Sequence, residues 1–104
     1  TYDYRYVEGY PPVVNHEEQT EVVVEAARKS LANLNVEQCK PMMIGEDFAY
    51  YLQHVPGSFF FVGAKDSNVD IQYPHHHARF NFDEKAMLHT ASIFSEILAA
   101  RLQM

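Results

Sequence analysis

Residues 45–63 read GEDFAYYLQHVPGSFFFVG, and this stretch decides the predicted fold. Its first half places four apolar side chains at the spacing of one helix face: Phe48, Tyr51, Leu52 and Val55. Pro56 and Gly57 end this predicted helix. Residues 59–62 then form a short, continuous apolar run, which is typical of a strand buried on both faces of a sheet. A helix followed by such a strand predicts an α/β fold.

The segments before this stretch alternate strand and helix patterns. Tyrosines at every second position give residues 1–7 the pattern of a half-buried strand. Pro11 and Pro12 interrupt that pattern and form a stiff connector. A helix is predicted from about Glu17 to about Ala32, with Asn15 as its N-cap. Residues 36–40 are a weak strand candidate.

The segments after it are a long loop and a helix. Residues 64–80 lack periodicity, and loops of this length in a small domain are usually functional or disordered. Asn81 and Asp83 are alternative caps for the last helix. Its apolar stripe is predicted to face the core and comprises Met87, Ala91, Phe94, Leu98 and Leu102.

Composition narrows the class of protein. The chain has 104 residues and a net charge of −6, which fits one small domain. Its eight basic residues are scattered, so we expect no nucleic-acid or membrane-surface partner. No apolar run approaches the roughly 18–20 residues of a membrane span. The single cysteine, Cys39, excludes an internal disulfide and indicates a reducing, cytoplasmic location.

The strongest chemical signal is the run of three histidines, His75 to His77. Imidazole is the commonest metal ligand in proteins. In an extended segment, however, side chains alternate, so the three rings could not converge on one ion. Solvated loop histidines explain the run equally well, and both interpretations stay open on the residues alone. Two roles are likewise open for Glu46 and Asp47: they could stabilise the N-terminus of a helix or line a functional site.

Three blocks, in order, carry a family resemblance. GEDFAYYL at 45–52, VPGSFFFVGA at 55–64 and HHARFNFDE at 76–84 resemble the C-terminal end of the metallo-amidohydrolases of the aminoacylase/carboxypeptidase superfamily. The nearest branch is the N-acyl-amino-acid amidohydrolases, which include hippurate hydrolase and the plant auxin-conjugate hydrolases. GYPPVVN at 9–15 is similar to that branch's crossing from an inserted lid domain to the catalytic domain.

The resemblance implies a hydrolase with two divalent ions, zinc or manganese, that cleaves the amide bond of N-acyl amino acids. The ions activate a water molecule and polarise the amide carbonyl, and a glutamate acts as general base. In that family a Cys-Gly-His-Asp segment, a Glu-Glu pair and a further His supply most ligands, and these blocks have no counterpart here. Only the last ligand falls within this chain, and no catalytic residue is expected in it.

That last ligand is matched by His76. The family's closing block reads Leu-His-His-Pro or Leu-His-Ser-Pro, and its first His binds metal. Here His75 replaces the Leu and Ala78 replaces the Pro, and the distance to the following aromatic residues favours His76 over His75. Gly45, Glu46 and Asp47 match the family's Gly-Gly-Glu-Asp-Phe segment, with Ile44 in place of the first Gly. They are expected to contribute to substrate binding.

The sequence thus predicts an α/β fold, the three-layer αβα portion of a di-metal exopeptidase-like catalytic domain. Residues 1–15 would be the last strand and linker of an α+β lid domain, and residues 16–104 the C-terminal part of the catalytic domain. We expect such a fragment to be inactive alone, to pair with the remainder of the catalytic domain, and to form a homo-oligomer. The alternatives are a free-standing, non-catalytic α/β ligand-binding or dimerisation module, and a dipeptidase or deacylase of the same superfamily.

Overall fold

The computed structural model describes residues 1–30, 35–65 and 73–103, and the regular structure in them is helical. Helix α1 spans Glu17–Ser30, α2 spans Phe48–Leu52 and α3 spans Lys85–Arg101. Each helix lies where the sequence predicts one, but α2 ends at Leu52 and does not include Val55, the last residue of its predicted stripe. The predicted end of the first helix, at residues 31–32, falls outside the described residues. Within the described ranges, no helix is both long and apolar enough to cross a membrane.

The described residues contain no strand, although strands are predicted at 1–7, 36–40 and 59–62. All three segments are irregular in the structure, so these predictions are not met. A strand needs a neighbouring strand to complete its ladder of backbone hydrogen bonds. The apolar pattern of a sequence indicates a tendency to be buried, but it does not supply that neighbour. The αβα layering therefore stays a prediction.

Two compact units make up the chain. The first unit comprises Thr1–Glu21 with Glu37–Phe59, and the second comprises Val22–Val36 with Phe60–Met104. Helix α1 therefore gives its first residues to one unit and the rest to the other.

Aromatic side chains hold α2 in the first unit. Ala49 is buried, and the Phe48 ring lies 5.5 Å from the ring of Phe59 between centroids. Tyr50 receives the ring of Tyr10 edge-on, with 5.8 Å between centroids. A helix of five residues is unstable in isolation, so these tertiary contacts stabilise it.

A set of hydrogen bonds ties the start of α1 to residues 57–59 in the same unit. The Asn15 side chain donates to the Phe59 carbonyl oxygen at 2.8 Å and accepts the Phe59 N–H at 2.8 Å. The His16 N–H donates to the Gly57 oxygen at 3.0 Å, and the His16 Nδ1 accepts the Gly57 N–H at 3.1 Å. The hydroxyls of Thr20 and Ser58 lie 3.1 Å apart. We call this set the linker clamp.

The linker clamp corrects the predicted role of Asn15. The first helical hydrogen bond runs from the Thr20 N–H to the His16 oxygen at 3.0 Å, so His16 occupies the capping position of α1. Asn15 precedes it and is used for a contact 44 residues away. The side-chain amide of Asn can both donate and accept, so it can pair with an extended backbone segment as well as with a helix end.

The core of the second unit lies between α1 and α3. Ala26 and Ala27 of α1 and Ile93 of α3 are buried and form one cluster. Three half-buried apolar side chains pack around them: Val36, Phe60 and Ile97. Small alanine side chains allow the two helices to approach closely, as helix–helix packing requires.

The predicted core stripe of α3 faces solvent in this structure, and that prediction is wrong for these residues. Met87, Phe94 and Leu98 are between 51% and 60% exposed. The buried face instead contains Ala86 and Ile93. The two faces differ by about one residue in register, or roughly 100° around the helix. Because α3 carries large apolar side chains on both faces, spacing alone could not choose between them.

Candidate functional site

The three histidines lie in two consecutive turns rather than in an extended segment. The His77 N–H donates to the Pro74 oxygen at 3.2 Å, and the Phe80 N–H donates to the His77 oxygen at 2.9 Å. In the first turn His76 is the third of four residues and has a φ of 67°. Gly or Asn usually takes such a position, because a larger side chain crowds the backbone there.

The turns give the three imidazoles different surroundings. The ring of His75 meets the ring of Phe80 edge-on, with 4.9 Å between centroids. The ring of His77 stacks on Tyr73 at 4.3 Å, and its Nδ1 accepts the Arg79 N–H at 3.1 Å. This hydrogen bond occupies the Nδ1 of His77. His76 is exposed and makes no ring contact or side-chain hydrogen bond with a described residue.

The segment after the turns is anchored to the second unit. The Asp83 N–H donates to the Ala64 oxygen at 2.8 Å. The Asp83 carboxylate accepts the Lys85 N–H at 2.9 Å, at the first residue of α3. Of the two predicted caps, Asp83 therefore stabilises the start of α3, while the side chain of Asn81 bonds to the N–H of Phe82. These hydrogen bonds hold the segment that follows the histidines in place within the second unit.

In the structure, the contacts of Gly45 and Glu46 are with residues of their own unit. The Glu46 carboxylate accepts the Phe48 N–H at 3.1 Å, so it caps the start of α2. Asp47 is exposed, and its carboxylate bonds to no described residue. Gly45 has no positive φ, but a Cβ there would lie 3.2 Å from the Tyr10 ring. A side chain at position 45 would therefore require the Tyr10 ring to shift slightly. This segment belongs to the first unit and His76 to the second.

The described residues contain no cluster that could hold a metal ion by itself. Within 1–30, 35–65 and 73–103 no group of three or more His, Cys, Asp or Glu side chains could hold an ion. Zinc sites in proteins use three or four protein ligands. The exposed imidazole of His76 is chemically suited to be one such ligand, but it does not form a site by itself. The other ligands would have to come from outside these residues.

Tyr73 and Arg79 are features of this loop that the sequence analysis missed. The Arg79 guanidinium carbon lies 4.8 Å from the centre of the Tyr73 ring, on which His77 also stacks. Contacts of this kind depend on the turns that bring residues 73, 77 and 79 together. The only signal in the sequence was an aromatic and a cationic residue flanking the histidines.

The chain belongs to peptidase family M20/M25/M40, whose family model matches residues 1–100. It is 45% identical over 95 residues to YhaA, a candidate amidohydrolase of Bacillus subtilis, covering 91% of this chain and 24% of YhaA. It is also 45% identical over 94 residues to the N-acetyl-L-cysteine deacetylase of the same organism, covering 90% of this chain and 21% of the deacetylase.

A solved structure shows the same fold. The crystal structure of a candidate aminohydrolase from methicillin-resistant Staphylococcus aureus superposes with a TM-score of 0.75 at 38% identity. The match covers 86% of this chain and 23% of that protein. The chain therefore spans about a quarter of the length of the relatives it matches.

Proposed function

We propose that residues 1–104 are part of a metal-dependent amidohydrolase that hydrolyses the amide bond of N-acyl amino acids, with His76 as a metal ligand. The observation that carries the proposal is the free imidazole of His76, held at a φ of 67° in a chain of peptidase family M20/M25/M40. Non-glycine residues in that conformation cluster at functional sites, because the surrounding structure must stabilise them. A relative that deacetylates N-acetyl-L-cysteine supports the substrate class.

In this proposal, residues 1–104 bind one metal ion and help to form the substrate pocket, but they carry out no proton transfer. Each of two divalent ions, zinc or manganese, would polarise the amide carbonyl or make a nucleophilic water available near neutral pH. His76 would donate one imidazole nitrogen to one of them. The general base and the remaining ligands would come from other parts of the full-length protein, so residues 1–104 alone would not turn over substrate.

Replacing His76 in the full-length protein tests the proposal. We expect His76→Ala to lower the bound metal content and to reduce the hydrolysis of an N-acetyl amino acid by at least about a hundredfold. Metal content is measured by elemental analysis, and hydrolysis by release of the free amine. His54→Ala is the matched control, because His54 is an exposed histidine in the other compact unit. Unchanged metal content and rate in His76→Ala would refute the metal role of His76, whereas a wild-type protein that neither binds metal nor hydrolyses the substrate would favour a non-catalytic module.

We also propose that Gly45, Glu46 and Asp47 help to line the substrate pocket of the full-length protein. Asp47 is the member with an uncommitted carboxylate, since Glu46 caps α2. If Asp47 faces the substrate, Asp47→Asn should lower the KM for acylated acidic amino acids relative to acylated basic ones. An equal KM ratio in wild type and variant would place Asp47 outside the pocket.

The domain boundary is a further part of the proposal, with residues 1–15 as lid strand and linker and 16–104 as catalytic domain. The alternating tyrosines support it. Tyr2, Tyr4 and Tyr6 are 76% to 102% exposed here, and a sheet neighbour would cover such a face. We expect the full-length protein to form a homo-oligomer, which sedimentation velocity would show.

A further inference from the structure

Three side chains around the first histidine turn form one connected group. Tyr73 precedes the turn and His77 ends it, and their rings stack with an angle of 14° between planes. Arg79 contacts the same Tyr73 ring through its guanidinium, while its backbone N–H donates to His77 Nδ1. Tyr73 is half-buried, whereas residues 74–80 are exposed. Among residues 73–80, Tyr73 is therefore the least exposed.

The backbone of the turn needs this support. A left-handed residue other than glycine relaxes to negative φ unless its surroundings hold it. The turn itself is closed by one backbone hydrogen bond of 3.2 Å, from the His77 N–H to the Pro74 oxygen. The stack of Tyr73 on His77 joins the residue before the turn to its last residue, so it opposes opening of the same loop.

From this geometry we propose that Tyr73 is a positioning residue for His76, acting together with His77 and Arg79. The stacked group keeps His76 in the left-handed turn and so keeps its imidazole directed away from its neighbours, ready to bind an ion. Tyr73 itself binds neither metal nor substrate. The inference rests on the metal role proposed for His76. Its physical basis is that apparent affinity falls with the fraction of molecules in the binding-competent state.

Zinc affinity in the full-length protein tests the inference apart from catalysis. We expect Tyr73→Leu to raise the dissociation constant for Zn²⁺ by about three- to tenfold, the effect of losing one aromatic stack. Tyr73→Phe keeps the ring and should restore wild-type affinity. Arg79→Ala removes one contact to the ring and serves as a second, milder variant, with an increase of about twofold to threefold. The dissociation constants are measured by competition with a chromophoric chelator, with circular dichroism to confirm folding.

The outcomes separate the inference from the proposed function. If His76→Ala weakens Zn²⁺ binding but Tyr73→Leu and Arg79→Ala do not, the positioning role is wrong and the metal role stands. If Tyr73→Phe loses as much affinity as Tyr73→Leu, the phenol hydroxyl acts instead of the stack, and the inference is overturned. If His76→Ala leaves Zn²⁺ binding unchanged, the metal role itself fails.

Discussion

Removing the Asn15 side chain tests whether the linker clamp stabilises the first compact unit. Asn15 makes two hydrogen bonds of 2.8 Å with the backbone of Phe59, one as donor and one as acceptor. A protein hydrogen bond contributes a net ~0.5–1.5 kcal/mol, and an exposed pair lies in the lower half of that range. Asn15→Ala should therefore lower the free energy of local opening by about 1–2 kcal/mol.

Asn15→Asp gives a sharper test of the geometry. The aspartate keeps one oxygen to accept the Phe59 N–H, but it places a second oxygen 2.8 Å from the Phe59 carbonyl oxygen. Two acceptors in contact repel each other. We therefore expect Asn15→Asp to be at least as destabilising as Asn15→Ala, although it differs from the wild type by a single group.

Amide hydrogen exchange of the full-length protein measures the effect at the site. A change of 1–2 kcal/mol corresponds to a loss of protection at the Phe59 N–H of about five- to thirtyfold. Asn81→Ala is the matched control, since the exposed Asn81 side chain accepts one hydrogen bond from the adjacent Phe82 N–H at 2.9 Å. It should change protection at Phe59 by less than about twofold. Equal protection in wild type and Asn15→Asp would show that the side-chain amide does not pair as described.

Three more predictions follow from other parts of the chain. A Cβ at Gly57 would lie 3.0 Å from Leu52 Cδ2, so Gly57→Ala should lower the free energy of unfolding by about 1 kcal/mol. Urea denaturation measures this change. An unchanged free energy of unfolding would mean that Leu52 moves aside freely. His76→Gly should relieve the left-handed strain and raise the melting temperature of the metal-free protein while lowering its metal content, and a lower melting temperature would contradict the strain. Residues 1–104 expressed alone should not hydrolyse an N-acetyl amino acid in the presence of Zn²⁺ or Mn²⁺, and metal-dependent turnover would show that the chain is a complete enzyme.

The helices were predictable because their signals are local. Glu17 and Glu18 at the start of α1 and Arg28 and Lys29 at its end match the helix dipole, and that helix is confirmed. The strands were not, because a strand depends on a neighbour that a local pattern cannot supply. The conformation of His76 was also out of reach. His76 has its positive φ because it lies in a turn closed by the hydrogen bond between Pro74 and His77. Gly usually occupies this turn position, so a His there gives no signal of a positive φ.

The error in α3 carries information about the protein. The stripe predicted for the core is exposed, and a second apolar face is buried against α1. A helix with two apolar faces is typical of a position covered on more than one side. The relatives are about four times as long as the match, and a protein of that length would have further chain to cover the second face. The stripe predicted from spacing is thus exposed in the described residues, and the face buried here is the one that packs against α1.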